Sequence, residues 1–191
     1  RSRPGGNAHR GLSIYVRVDI SCVQHSRHRS TYCEYLGVEI TTALGKAYVN
    51  NFYAWPVRVV DRYPLDELAS LLTSDSPVLV GGDFNVDAPS VATPNNALLR
   101  SFSYCIRVTN SYLLAPPTPT FPLNGTTLDY LICNRNLTVP PVLTLSDVSS
   151  VHLPVILSVP LGVMRTTPRM TYRIPKSRMV RSSNASRVAF S

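Results

Sequence analysis

Proline sets the first limit on this chain. Sixteen of its 191 residues are proline, and each fixes one backbone angle and removes one hydrogen-bond donor. Long helices and long central strands are therefore disfavoured, and the fold must be built from short elements joined by many loops. The apolar residues agree with that limit. They recur as short runs bounded by turn residues, and none approaches the roughly 20 residues needed to span a bilayer. At this length, 44% hydrophobic and 16% charged residues suit one domain with a proper core.

Several of these runs read as strands. Residues 12–18 (L-S-I-Y-V-R-V) alternate in part, and 35–40 (Y-L-G-V-E-I) and 47–53 (A-Y-V-N-N-F-Y) are two more strand candidates, joined by a hairpin turn at Leu44-Gly45-Lys46. Residues 78–80 follow Ser76-Pro77 as a continuous apolar run, the pattern of a strand buried on both faces. Residues 128–133 and 155–159 are further strand candidates. Residues 64–72 place Leu65, Leu68, Leu71 and Leu72 on one helical face, with Pro64 and two acids in the first turn. A second helix is expected over 95–103. Mixed strands and helices with hairpins predict an α/β or α+β sandwich.

Charge separates one part of the chain from the rest. Of nineteen basic residues, seven lie in 165–191 with no acid among them, which leaves twelve basic and eleven acidic residues before that point. The domain is therefore expected to occupy residues 1–163, and 164–191 to be a basic linker or disordered tail with polyanion binding, RNA included, as its functional option. The opening R-S-R-P-G-G lacks an initiator Met and a signal-peptide pattern, which reads as a processed product or fragment. Cys22, Cys33, Cys105 and Cys133 form no C-x-x-C pair and show no zinc-ligand spacing to a His, so reduced thiols in an intracellular protein, nuclear or cytoplasmic and not secreted, are expected. The sequons at Asn124, Asn136 and Asn184 are close to chance for a Ser- and Thr-rich chain.

The stretch V-L-V-G-G-D-F-N, residues 78–85, carries the first candidate chemistry. Its glycines match neither G-x-G-x-x-G nor G-x-x-x-x-G-K-S/T, so a phosphate cradle is a poor reading. Glycines at a strand end instead permit a bend or a close approach to a neighbour. Asp83 and Asn85, two residues apart, would share one side of an extended backbone and can orient a water and a phosphate oxygen. Alone, the pair reads more simply as an Asx turn closing the strand. Asp129 stands in an apolar run, T-T-L-D-Y-L-I-C, where an acid is costly unless paired or facing solvent. His152, in S-S-V-H-L-P-V, is a candidate base if Asp129 fixes its tautomer, and an ordinary histidine otherwise.

In order, Y-A-W-P, V-L-V-G-G-D-F-N, T-P-T-F, T-L-D-Y-L-I and L-S-D-V-S-S-V-H-L-P-V resemble the endonuclease/exonuclease/phosphatase family. The nearest likeness is to the apurinic-type endonuclease domains of non-LTR retrotransposons of the jockey and R1 kind, over roughly residues 5–160. R-M-T-Y-R-I-P-K in the tail resembles the linker towards a reverse transcriptase. The resemblance implies a four-layer α/β sandwich, here lacking its first strand or strands, and metal-dependent cleavage of a phosphodiester in DNA.

By the same resemblance, Asp83 would activate or position water and Asn85 would bond the scissile phosphate. Tyr53 would donate to a phosphate oxygen, and His152, held by Asp129, would act on the phosphate or the nucleophile. Mg²⁺, or Mn²⁺, would neutralise developing charge. Two departures touch the metal. The family's Ser-Asp-His is here Ser150-Val151-His152, and Val cannot ligate a hard cation; Asp147 matches an earlier position and is no substitute. The family's Gln-Glu segment, with its metal-binding Glu, has no counterpart in the chain; Asp19, Glu34 and Glu39 stand in other contexts. Three functions follow: a DNA endonuclease of a retroelement polyprotein with impaired nicking, a catalytically dead remnant that binds nucleic acid, or a phosphoesterase on another substrate. None involves a membrane.

Overall fold

A computed structural model describes residues 12–57, 59–88, 96–146 and 150–165. Its centre is a six-stranded mixed sheet of β1 (Cys22–Arg29), β2 (Cys33–Thr42), β3 (Gly45–Ala54), β4 (Val78–Asp83), β5 (Tyr112–Leu114) and β6 (Asp129–Cys133). The spatial order is β1-β2-β3-β4-β6-β5, and only β3 and β4 are parallel. That parallel step needs a crossover. A 3-10 turn (Val60–Arg62) and helix α1 (Leu65–Leu72) supply it, with Asp66 and Glu67 in the first helical turn, where the dipole favours acids. Helix α2 (Ala97–Val108) begins at Asn96, whose side chain accepts from the N–H groups of Leu98 and Leu99 at 2.9 and 3.3 Å.

Both helices cover one face of the sheet. Leu68 and Leu72 of α1, and Leu98, Leu99, Phe102 and Cys105 of α2, pack with Phe52, Val78, Val80, Tyr130 and Ile132 of the strands. Phe84, fully buried just after β4, stacks on Tyr130 with ring centroids 4.5 Å apart. The opposite face meets the segment that carries β7 (Leu143–Thr144) and β8 (Val155–Ile156), an antiparallel pair. Val49, Leu79 and Leu131 of the sheet and Leu153, Val155 and Leu157 of that segment wall a cavity of about 620 Å³. The architecture is an α/β sandwich. No described helix is long and apolar enough to cross a membrane.

The structure departs from the expected elements at several places. Residues 12–18 alternate in exposure but pair with no strand among the described residues; Asn51 Nδ2 donates to the Ser13 carbonyl instead. β1 has no apolar pattern, because it is a largely exposed edge strand recruited by its ladder with β2. The expected helix over 95–103 runs on to Val108, since Cys105 still reaches the core. The strand expected over 155–159 stops at Ile156. The hairpin between β2 and β3 turns at residues 43–44, with Thr42 paired to Gly45. The expected tail lies outside the described residues beyond Arg165, and Arg165 itself bridges to Ile20.

Candidate active site

The site forms at one end of the sheet. Tyr53 on β3 stands opposite Asp83 on β4, and Asp83 opposite Asp129 on β6. On the other side of Tyr53 the register places Glu34 of β2. Opposed residues in paired strands project to one face, so these four form a row across four strands, turned away from the helices. Their neighbours Ala54 and Tyr130 face the helical core.

Several bonds shape the strand end after Asp83. Gly82 has φ +151°, and a Cβ there would overlap the Phe52 carbonyl. The glycine thus permits contact between β4 and β3, and no phosphate is required to explain it. The Tyr63 hydroxyl donates to the Phe84 carbonyl at 2.7 Å and the Tyr130 hydroxyl to the Val86 carbonyl at 3.1 Å. Between them Asn85 adopts φ +51°, so the backbone is not extended there, and the expected i, i+2 relation does not bring the pair together. An Asx turn does: Asn85 N–H donates to Asp83 Oδ1 at 3.0 Å. Asn85 Nδ2 donates to the Ala54 carbonyl at 2.8 Å, tying the turn to β3.

His152 reaches the row from the opposite layer. Its Nδ1 lies 2.8 Å from Asp129 Oδ2. An ionised carboxylate only accepts, so Nδ1–H is the donor of this bond when Asp129 is charged. The imidazole packs against Phe121, centroids 4.9 Å apart. Ligating atoms of Asp83, Asp129 and His152 all lie within 4.8 Å of one another. Burial, followed by the nearby Asp129 charge, raises the Asp83 pKa, while the Asn85 N–H and His152 pull it down. Tyr53 is half-buried, with its ring 4.6 Å from that of Trp55.

Two facing carboxylates fit a hard divalent cation. Mg²⁺ takes one or two carboxylates and completes its shell with water and substrate phosphate, so Asp83 and Asp129 suffice as protein oxygens. Val151 adds nothing: its side chain is 60% exposed. Asp147 lies outside the described residues.

Two contributors escape a reading of the sequence. Thr120 in T-P-T-F is fully buried, and its hydroxyl accepts from the N–H groups of Leu128 and Asp129 at 2.9 and 3.0 Å. Its carbonyl accepts from Leu153 N–H at 2.7 Å, so one residue ties down both chain segments of the Asp129 and His152 pair. Glu34 is the second, placed in the row only by register. A buried threonine and an acid beginning a strand carry no local signal of either role.

The Endonuclease/Exonuclease/phosphatase family profile matches residues 1–158. The chain belongs to that family. Its members include nucleases and phosphatases, hydrolases of phosphoesters. Solved structures share the fold. An endonuclease/exonuclease/phosphatase from Beutenbergia cavernae superposes with a TM-score of 0.55 at 19% identity, covering 68% of this chain and 40% of that one. A family protein from Leptotrichia buccalis gives 0.52 at 13% identity, covering 66% and 52%. The human Nocturnin catalytic domain, solved with a bound sulfate anion, gives 0.50 at 16%, covering 75% and 62%. The chain thus spans between 40% and 62% of the length of these structures. No curated protein matches its sequence.

Proposed function

We propose that this chain is the phosphodiesterase core of a metal-dependent DNA endonuclease, of the kind encoded by jockey- and R1-like retroelements, with nicking slowed by Val151. The contact between Asp129 and His152 beside the raised-pKa Asp83 carries this reading. In the reaction, water oxygen bonds to phosphorus, the bond from phosphorus to the leaving sugar oxygen breaks, and a water proton passes to Asp83. His152, aligned by Asp129, bonds a phosphate oxygen through Nε2. Tyr53 and Asn85 hold further phosphate oxygens. Asp83 and Asp129 would hold Mg²⁺ or Mn²⁺, which would supply charge neutralisation at the phosphate.

Exposed Val151 at the position of a family carboxylate favours a second reading, a domain that binds nucleic acid without cutting it. Incubation of supercoiled plasmid with the full chain in Mg²⁺ distinguishes the two. Slow nicking is expected, falling by roughly 10²–10⁴-fold in His152→Ala. DNA binding with no nicking would establish the second reading instead. Hydrolysis of a small phosphomonoester with no effect on DNA would overturn both.

A further inference from the structure

The helix face of the sheet holds a second cluster of metal-ligating side chains. His28 lies near the end of β1, Cys33 begins β2, and the short turn between these strands brings them back together. Ser30 fastens that turn: its hydroxyl accepts from the N–H groups of Tyr32 and Cys33 at 3.2 and 3.1 Å. Glu67 approaches from the first turn of α1. A ring nitrogen of His28, the Cys33 sulfur and a Glu67 carboxylate oxygen all lie within 4.8 Å of one another.

One ring atom of His28 lacks a partner. His28 Nε2 is buried and makes no hydrogen bond, the sole such side-chain atom among the described residues. The ring cannot readily turn away, because it stacks on Tyr35 with centroids 5.0 Å apart. Cys33 is fully buried. Burial raises its thiol pKa, with the Ser30 hydroxyl opposing and the Glu67 charge adding to the shift, so the cation-free cluster holds a neutral thiol beside a carboxylate.

We infer that His28, Cys33 and Glu67 form a binding site for a zinc-like divalent cation, which clips the β1–β2 hairpin to α1. Imidazole nitrogen, thiolate sulfur and carboxylate oxygen are the donors Zn²⁺ accepts, whereas Mg²⁺ and Ca²⁺ require oxygens. Zn–N bonds of about 2.0 Å and Zn–S bonds of about 2.3 Å place tetrahedral ligands roughly 3.5 Å apart, within reach by small rotamer changes. On binding, the Cys33 proton is released to solvent, and one thiolate plus one carboxylate balance the two positive charges. Half-exposed His28 and Glu67 leave room for a solvent fourth ligand. This cluster and the Asp83 row lie on opposite faces of the sheet, since Cys33 and Glu34 alternate along β2.

Co²⁺ reports a thiolate ligand directly, through sulfur-to-metal charge-transfer absorption. The reduced, chelator-treated full chain is titrated with Co²⁺ in excess Mg²⁺, then with Zn²⁺. The expected result is a thiolate band abolished by a single equivalent of Zn²⁺, and a Zn²⁺-dependent rise in Tm. Cys33→Ala should remove the band. His28→Gln and Glu67→Gln, at less buried positions, should each weaken Zn²⁺ binding by more than the roughly 10-fold cost of losing an outer-shell partner. Cys105→Ala and Asp83→Asn should change neither. Absence of the band in the unmodified chain overturns the inference, as does its loss in Cys105→Ala or unchanged Zn²⁺ affinity in His28→Gln.

Discussion

The Thr120 hydroxyl accepts the backbone N–H of Asp129 at 3.0 Å, at a position with no solvent exposure. A threonine with no part in the candidate chemistry itself thus sets where the Asp129 carboxylate begins, and through the Thr120 carbonyl it also restrains the residue after His152.

Thr120→Val strands two part-buried N–H groups, those of Leu128 and Asp129, and should cost about 1–3 kcal/mol. Urea unfolding measures that loss. At a temperature where the variant stays folded, kcat for nicking should fall while KM holds, and Thr120→Ser should restore both. A Thr120→Val variant with normal kcat would reduce the residue to a purely structural part.

Asp83 links the site to pH. Its raised pKa means that the folded chain binds the proton more tightly than the unfolded chain. Stability is therefore greatest below the unfolded value and declines as pH rises through the folded one. Asp83→Asn keeps an acceptor for the Asn85 N–H and removes the charge, so it should raise Tm at neutral pH and abolish nicking. Near pH 3, about where ordinary carboxylates are protonated, the Tm difference should close. A lower Tm for Asp83→Asn at neutral pH would show that neither burial nor the Asp129 charge governs this carboxyl.

The two glycines before Asp83 should respond differently. Gly82→Ala meets the Phe52 carbonyl in a left-handed backbone and should cost about 3–5 kcal/mol. At Gly81 an added Cβ meets nothing nearer than the Leu131 side chain at 3.4 Å, and Gly81→Ala should stay within about 1 kcal/mol. Equal losses at both positions, read from denaturant midpoints, would contradict the close-approach account.

Deleting 166–191 removes six basic residues. If those charges neutralise DNA phosphates, the slope of log K against log salt should flatten by as much as roughly 5. An unchanged slope would exclude the tail from DNA binding.

Much of the scaffold was legible locally. Val78 to Val80 announce a buried strand by continuous apolarity, and α1 announces itself through its leucine spacing and acidic first turn. The Asx-turn reading of Asp83 and Asn85 was legible too, although the residues meet through a left-handed turn and not along an extended strand. β1 was not legible, because an exposed edge strand takes its conformation from β2 and not from its own side chains. His28 and Cys33 were equally hidden, since their third partner, Glu67, comes from a helix beyond β3 and matches no spacing template.

By itself, the sequence marked Asp83, Asn85, Asp129 and His152 as candidates for chemistry and the two glycines before Asp83 as a point of bending or close approach. Only the tertiary structure decided which of them meet. Strand register puts Asp83 beside Asp129 and Glu34 beside Tyr53, and a separate layer brings His152 to Asp129. Local patterns encode burial and backbone preference, whereas register and layer packing depend on partners distant in the chain, so these meetings exist only once the sheet has closed.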